Sequence, residues 1–145
     1  MPLSDAAQFE VERAVERVII KLWAGMDAGE FHTVIDSFAD DGVWHRQGKE
    51  LKGPSQVRAA MEERPKAART RHVVTNMLVD VLDDTRADLQ CYLTVWQHMA
   101  PSADAPPPAP MNVPLTVALS KARLSRTASG WKITELKSAD TFRRQ

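Results

Sequence analysis

The fold is decided by the stretch Thr70-Arg71-His72-Val73-Val74-Thr75-Asn76-Met77-Leu78-Val79. Before it, apolar residues recur every three or four positions; from Thr70 onward they follow a period of two. The chain therefore changes here from helices to long strands. Asp83-Asp84-Thr85 is typical of a turn, so residues 71–82 and 86 to about 99 are expected to pair as one long hairpin.

A long amphipathic helix is predicted upstream, from Ser4 to about Ala28. Its apolar stripe consists of Val11, Ala14, Val15, Val18, Ile19, Leu22, Trp23 and Met26. Gly25 and Gly29 bracket Asp27, which indicates that the helix weakens there.

Shorter elements fill the space between the first helix and the long hairpin. A second helix is expected to turn Phe31, Val34, Ile35 and Phe38 inward and to stop at Asp40-Asp41-Gly42. Residues 43–46 then predict a short strand, Gly48-Lys49 a turn and residues 51–53 a weak return strand. Pro54 suits the first position of a third helix.

The segment at residues 101–112 is rich in proline and predicts an exposed loop between strands, because proline lacks the amide donor that a sheet ladder needs. Strands at about 113–126 and 131–139 complete the chain. Helices segregated from an antiparallel sheet define the α+β class. Residues 1–145 are thus expected to form one domain, a cone-shaped α+β barrel. In it, three N-terminal helices pack against a strongly curved, mostly antiparallel sheet, with a pocket at the open end.

Composition argues against several classes of partner. The 145 residues carry 19 basic and 19 acidic side chains, so no net field attracts nucleic acid or an anionic membrane. No apolar run approaches the roughly 20 residues that span a bilayer, and the first residues lack the features of a signal peptide. A cytoplasmic location is the expectation. The single cysteine, Cys91, is interpreted as a small buried apolar residue.

Metal and cofactor motifs are not found in the sequence. His32, His45, His72 and His98 show neither H-x-H nor H-E-x-x-H spacing, and Cys91 has no cysteine partner. There is no glycine-rich phosphate loop and no G-x-S-x-G nucleophile motif. The chain is therefore predicted to use no metal and no cofactor.

Asp27 and His72 stand out as a separated pair. A carboxylate at an apolar helix end and an imidazole on a strand are costly to bury singly, but each can satisfy the other across a cavity. Such a pair suits proton transfer, because imidazole titrates near neutral pH and a carboxylate fixes its tautomer. The residues alone leave a plainer interpretation open, in which Asp27 is a cap or solvated charge and His72 is simply hydrogen-bonded.

Five stretches, in their order and spacing, resemble the SnoaL-like branch of the nuclear-transport-factor-2-like superfamily over nearly the whole chain. They are residues 22–27 (LWAGMD), 38–44 (FADDGVW), 52–54 (KGP), 71–76 (RHVVTN) and 130–137 (GWKITELK). Within the superfamily the chain resembles scytalone dehydratase and a haloalkane dehydrochlorinase, which place an aspartate after the first helix and a histidine in the long strand. The resemblance implies that His72 is a general base and Asp27 its orienting partner.

Further pocket residues are expected around this dyad. Met26 stands where scytalone dehydratase carries a tyrosine, and Tyr92 where it carries a second pocket histidine. Tyr92 and His45 are preferred as donors to a developing negative charge, with Trp44 and Asn76 as further lining groups. Trp96 and Tyr92 share the strand face opposite Cys91 and Leu93 in the alternation, and parity alone leaves open which face lines the cone. The four tryptophans, at 23, 44, 96 and 131, are interpreted as core and interface residues rather than as a ligand cage.

Two functions remain in competition on the sequence. The first is a cofactor-independent lyase or isomerase, of the dehydratase, isomerase or cyclase type, acting on a small, largely apolar carbonyl or hydroxyl compound. The second is a non-catalytic module of the same fold that binds a small hydrophobic molecule or supports dimerisation, with the scaffolding subunit of a larger oxygenase as a variant. Assembly into a homodimer or homotrimer is expected in each case, because one sheet face is more apolar than a solvated face prefers.

Overall fold

Three helices pack on one curled sheet in the computed structural model, which describes residues 2–145. The helices are α1 (Asp5–Ala28), α2 (Phe31–Asp36) and α3 (Gly53–Glu62). The strands are β1 (Phe38–Arg46), β2 (Lys49–Lys52), β3 (Ala68–Val81), β4 (Arg86–Met99), β5 (Thr116–Thr127) and β6 (Gly130–Arg143).

The six strands lie in the order β2-β1-β6-β5-β4-β3. β1 and β6 are parallel, and the other neighbouring pairs are antiparallel. The sheet curls around α1 without closing, since β2 and β3 remain as free edges. The predicted α+β cone is confirmed, and so is the long β3–β4 hairpin, in which His72 lies opposite Val95.

The first helix is held at both ends by local interactions. Ser4 caps it by accepting a hydrogen bond from the amide of Ala7 at 3.2 Å. Gly29 ends it in the left-handed conformation, with φ 74°, which glycine adopts without steric cost. The helix ends at Ala28, as predicted, and Asp27 lies in its last turn. The Gly29 cap therefore lies two residues after Asp27.

The entry into β1 differs from the prediction. Phe38 begins the strand instead of ending α2, and Asp40-Asp41-Gly42 lies inside β1 rather than stopping a helix. The cause is pairing with a strand far away in sequence: the amide of Ile133 donates to the carbonyl of Ser37 at 2.8 Å. The register then shifts before Val43, and an added Cβ on Gly42 would lie 2.6 Å from the Ile133 carbonyl oxygen. Only glycine allows the two backbones to approach so closely.

The tight turn between β1 and β2 falls at Gln47 and Gly48, with φ of 52° and 76°, one residue earlier than predicted. The proline-rich loop is mostly exposed, as expected, but side chains hold its backbone. Arg69 donates to the carbonyls of Ala103 and Ala105 at 2.8 and 3.2 Å, and Trp96 donates to that of Asn112 at 3.2 Å.

The core lies between α1 and the inner face of the sheet. Its fully buried members come from both layers: Val15, Ile19, Leu22, Leu124, Ile133 and Leu136. Each such aliphatic side chain contributes about 1.5–3 kcal/mol through burial. Within residues 2–145, no helix is long and apolar enough to cross a membrane.

Candidate functional site

Asp27 and His72 meet at the end of α1. His72 lies on the inward face of β3, and its Nδ1 is 2.6 Å from Oδ1 of Asp27. A carboxylate can only accept, so Nδ1 carries the proton and donates it. The backbone amide of His72 donates to the other oxygen, Oδ2, at 2.8 Å, and the hydroxyl of Thr70 donates to Oδ1 at 3.2 Å. The carboxylate thus aligns the imidazole through both the ring and the strand.

These contacts hold Asp27 in its charged form. Burial raises the pKa of the carboxyl, but the hydrogen bonds from the His72 ring and amide, the His72 charge and the Thr70 hydroxyl together outweigh it, so that the pKa lies below its ordinary value. The side chains of His72 and Asp27 are 8% and 13% exposed. An ionised carboxylate therefore lies beside an imidazole in a largely enclosed setting.

Trp23 is the residue of this site that the sequence analysis assigned to the core. Its ring stacks on the His72 imidazole, with centroids 4.6 Å apart and planes 18° apart, and meets Trp44 edge to face at 6.0 Å. Trp23 is 5% exposed, and its Nε1–H is the one buried side-chain polar group without a hydrogen-bond partner among residues 2–145. The sequence did contain a pattern that places Trp23 at the site, because Trp23 and Asp27 are four residues apart and are therefore neighbours on one helix face.

Two arginines contact residues of the group around the dyad. Nη2 of Arg64, just after α3, donates to the Thr70 hydroxyl at 3.4 Å. The guanidinium of Arg46 lies 5.4 Å from the centroid of the Trp44 ring. Neither arginine was predicted to belong to the site. Arg64 follows a helix end in an aperiodic segment, so no sequence pattern pointed to it.

Of the predicted lining residues, Trp44 and Met26 face inward. Trp44 is 3% exposed and belongs to the aromatic group just described, whereas Met26 is an ordinary member of the core. Tyr92 and Asn76 are not brought to the dyad. Tyr92 is half exposed on the outer face of β4, opposite in parity to the buried Cys91. Asn76 is exposed at an irregularity of β3, where its φ is 54°.

His45 is also absent from the dyad. It follows the inward Trp44 along β1 and so lies on the outer face of the sheet. There its Nε2 is 3.3 Å from Oε2 of Glu135, and its Nδ1 is 3.7 Å from Oε1 of Glu50. Strand alternation places Trp44 and His45 on opposite faces of β1, so the two could not both line one pocket, and Trp44 is the inward residue.

The family model for the SnoaL-like domain matches residues 7–137. The chain belongs to this SnoaL-like family. No curated protein matches the sequence significantly.

Several solved structures have the same fold as this SnoaL-like domain. One is a candidate scytalone dehydratase from Novosphingobium aromaticivorans, with a TM-score of 0.78 and 13% identity over 96% of this chain and 89% of that one. Another is the hexachlorocyclohexane dehydrochlorinase LinA-type3 from Novosphingobium barchaimii, with a TM-score of 0.78 and 14% identity over 97% of this chain and 93% of that one. A third is a protein of unknown function from Nostoc punctiforme with a cystatin-like fold. Its TM-score is 0.71, with 15% identity over 95% of this chain and 93% of that one. At these identities the likeness establishes the fold.

Three cavities of the SnoaL-like domain are described, and one of them is bordered by Thr70, whose hydroxyl donates to Asp27. One of about 730 Å³ lies on the outer sheet face, one of about 610 Å³ lies under the proline-rich loop, and one of about 490 Å³ lies between α3 and the β1–β2 hairpin. None of them is lined by Asp27 or His72. Arg46, whose guanidinium lies against the Trp44 ring, lines the third of these cavities.

The remaining ionisable candidates lie apart from the dyad. Across residues 2–145, no three His, Cys, Asp or Glu side chains are grouped so that they could hold a metal ion. Cys91 is buried, and burial raises the pKa of its thiol to about 11, against the opposing hydrogen bond with Ser120. The thiol is therefore protonated and unreactive at neutral pH.

Proposed function

We propose that this SnoaL-like domain is a cofactor-independent lyase or isomerase in which His72 is the general base and Asp27 its orienting partner. The observation that carries the proposal is the 2.6 Å contact between Nδ1 of His72 and Oδ1 of Asp27. It commits Nδ1 as the donor, so that in the neutral imidazole, which is the form that acts as a base, Nε2 carries the lone pair. Within the described residues, Nε2 makes no hydrogen bond that would occupy that lone pair.

The chemistry follows from that tautomer. Nε2 takes a proton from a carbon beside a carbonyl or a leaving group, and the C–H electron pair forms a new carbon–carbon double bond. In an elimination, a halide departs with its own bonding pair, whereas a hydroxyl departs with its bonding pair and takes the proton back from the imidazolium, leaving as water. In an isomerisation, the electron pair is held as an enolate until the imidazolium returns the proton to another carbon. In both, Asp27 stabilises the imidazolium that forms.

The aromatic group beside the dyad supports a substrate with an electron-rich oxygen or halogen. A buried indole N–H without a partner costs about 1–3 kcal/mol relative to a satisfied one. The Nε1–H of Trp23 is such a group, and the same ring stacks on His72. It is the donor that we assign to the developing charge, in place of Tyr92 and His45. We assign a small, largely hydrophobic substrate to this site, in keeping with the aromatic side chains around His72.

The decisive experiment measures proton transfer directly. Small ketones and β-hydroxy carbonyl compounds would be incubated with the protein in D₂O, and carbon-bound deuterium would be followed by NMR. We expect exchange or elimination for at least one compound, and its loss in His72→Ala but not in the outer-face control His45→Ala. A His72→Ala protein that keeps turnover within about threefold of the wild type would remove the base from the mechanism.

A non-catalytic binding module is the second candidate. It is favoured by the cavity of about 610 Å³ beneath the proline-rich loop, which is bordered by Trp96 and is lined by neither Asp27 nor His72. In that case a hydrophobic ligand protects the protein against thermal unfolding, and Trp96→Ala removes the protection while His72→Ala does not. The opposite pattern favours the enzyme.

Assembly into a homodimer or homotrimer remains a prediction. The outer face of the sheet presents Leu78, Tyr92 and Phe142, each more than half exposed, and such apolar groups are commonly covered by another subunit. Light scattering at micromolar concentration should give a mass of two or three chains. A clean monomer of 16.2 kDa would contradict assembly through this face.

A further inference from the structure

The segment between α3 and β3 brings Arg64 to Thr70. Pro65 keeps the helix from continuing, because the residue before a proline disfavours the helical conformation. The amide of Arg64 donates to the carbonyl of Met61 at 3.2 Å, and the amide of Ala68 donates to that of Pro65 at 3.1 Å. The backbone is thus folded back on itself on both sides of Pro65, and Nη2 of Arg64 lies 3.4 Å from the hydroxyl oxygen of Thr70.

Thr70 connects this arginine to the carboxylate of the dyad. It lies two residues before His72 in β3 and therefore on the same face of the strand. Its hydroxyl has one proton, which it donates to Oδ1 of Asp27 at 3.2 Å, and its oxygen accepts from Nη2 of Arg64. Arg64, Thr70 and Asp27 thus form a hydrogen-bond chain with a single direction. Donation from a charged guanidinium makes the hydroxyl a stronger donor to the carboxylate.

The Thr70 hydroxyl is the one side-chain partner of the Arg64 guanidinium in the part of the chain that the structure describes. Arg64 is half-buried, and within residues 2–145 no carboxylate oxygen lies within 4.0 Å of its guanidinium. Burial lowers the pKa of Arg64, whereas the charge of Asp27 raises it. Among the described residues, His72 and Arg64 are the titratable groups that act on the charge of Asp27. The guanidinium and the carboxylate therefore stabilise each other, with the hydroxyl between them.

We propose that Thr70 and Arg64 are positioning residues of the site at Asp27. Thr70 holds Oδ1 of that carboxylate against Nδ1 of His72, and Arg64 fixes the direction of the Thr70 hydroxyl. With three donors on its two oxygens, the carboxylate cannot rotate away from the imidazole without losing hydrogen bonds to Thr70 and to the strand. The inference rests on the proposed general base, since a fixed proton on Nδ1 is what leaves Nε2 of His72 as the basic nitrogen.

Thr70→Val tests the hydroxyl, because valine has nearly the same shape without the donor. The Asp27 carboxyl would be followed by carbon NMR in labelled protein as the pH is lowered from neutrality, and its signal would be assigned by its absence from Asp27→Asn. Loss of the Thr70 hydrogen bond should raise the pKa of Asp27, so that the titration moves to higher pH. Thr70→Ser keeps the hydroxyl and should titrate as the wild type does. Thr75→Val, at an exposed position of the same strand, should also leave the titration unchanged.

Arg64→Gln tests the other end of the hydrogen-bond chain. It removes the guanidinium charge, so the Asp27 titration should again move to higher pH, but by less than in Thr70→Val, because the hydroxyl still donates. Arg58→Gln, at an exposed position of α3, removes the same charge without the contact and should leave the titration unchanged. In the Thr70→Val background, Arg64→Gln should have a smaller effect than in the wild type, since the hydrogen-bond chain is already broken.

A second measurement decides if a variant unfolds before Asp27 is titrated. The Nδ1 proton of His72 lies in the 2.6 Å contact with Oδ1, and its NMR resonance is expected far downfield at neutral pH. Thr70→Val removes the donor that shares Oδ1, so the resonance should move further downfield. Thr70→Ser and Thr75→Val should leave it in place. If Thr70→Val does not fold at neutral pH, Thr70→Ala removes the same hydroxyl.

Turnover separates this inference from the proposed catalysis. Where deuterium exchange is found, Thr70→Val should lower kcat by about tenfold and leave KM within about twofold, because the hydroxyl touches Asp27 and not the substrate. If the titrations change as expected but the wild type shows no exchange, the hydrogen-bond chain stands and the proposed base fails. If His72→Ala abolishes exchange while Thr70→Val titrates as the wild type does, the base stands and this inference is overturned. Equal shifts in Thr75→Val or Arg58→Gln would also overturn it, and an unchanged titration in Arg64→Gln would remove Arg64 from the hydrogen-bond chain.

Discussion

Two histidine–carboxylate contacts of the described residues, His72–Asp27 and His45–Glu135, lie in very different surroundings. His72–Asp27 lies inside the cone at 2.6 Å, with side chains 8% and 13% exposed, and the carboxylate accepts from the ring, the backbone and Thr70. His45–Glu135 lies on the outer face at 3.3 Å, with side chains 26% and 46% exposed. The same two chemical groups, an imidazole and a carboxylate, are therefore held differently, because burial and backbone support, rather than pairing alone, fix the orientation of an imidazole.

Replacing the two histidines should give the largest contrast. His72→Ala removes the base, and we expect the rate of proton exchange or elimination to fall by about 10²–10⁴-fold. His45→Ala removes an exposed pair that touches no substrate, so the rate should stay within about threefold. Both rates would be measured on the same substrate with both proteins shown to be folded by circular dichroism. Equal losses would mean that the enclosure of the dyad has no catalytic importance.

Replacing the two carboxylates should separate them in stability. Asp27→Asn leaves the Thr70 hydroxyl and the His72 amide with a poorer acceptor, and we expect a loss of about 1–3 kcal/mol in the free energy of unfolding. Glu135→Gln should cost at most about 1 kcal/mol, since an exposed ion pair contributes little. Urea denaturation of both variants at neutral pH measures the difference. Equal losses would show that Asp27 is no more integrated than a surface group.

The contrast between the two pairs also shows what could be predicted from the sequence. The period change at Thr70 and the stripe of α1 were enough for the α+β cone and its long hairpin, because both patterns are local. The same local patterns failed at β1, whose first half exists through pairing with β6, about 95 residues later. Asn76 was misassigned because an irregularity of β3 interrupts the alternation that sequence reasoning assumes.

The meeting of Asp27 and His72 was predictable only as a pair of costly groups, together with a family resemblance, since 45 residues separate them. Tyr92 could have been judged more strictly, because the neighbouring Cys91 and Leu93 are the residues that an inward face prefers. Trp23 was within reach of helix spacing. Arg64 was not, because its contact with Thr70 depends on the path of the irregular segment that joins α3 to β3.

Removing the unpartnered indole N–H should have a smaller effect than the loss of either dyad member. Trp23→Phe keeps an aromatic ring over His72, and we expect about tenfold slower turnover with a stability change of about 1 kcal/mol or less, since the lost N–H was unsatisfied. Trp131→Phe, a half-buried tryptophan of β6, provides the matched control. Unchanged turnover in Trp23→Phe would leave the ring with a packing role alone.

The smallest difference between the two pairs is expected in the acid dependence of stability. The pKa of Asp27 is lower in the folded protein than its ordinary value, so the folded state binds its proton later than the unfolded chain does. The resulting stabilisation is fully present above the ordinary pKa and is lost as the pH falls through the folded one. Lowering the pH from 5 to 3 should therefore reduce the free energy of unfolding of the wild type more than that of Asp27→Asn. When this free energy is measured by urea denaturation and plotted against pH, the two curves should converge at the acid end. The stability of Glu135→Gln should change with pH as that of the wild type does throughout that range. A difference in the free energy of unfolding between wild type and Asp27→Asn that stays constant with pH would show that the Asp27 contacts do not depend on its charge.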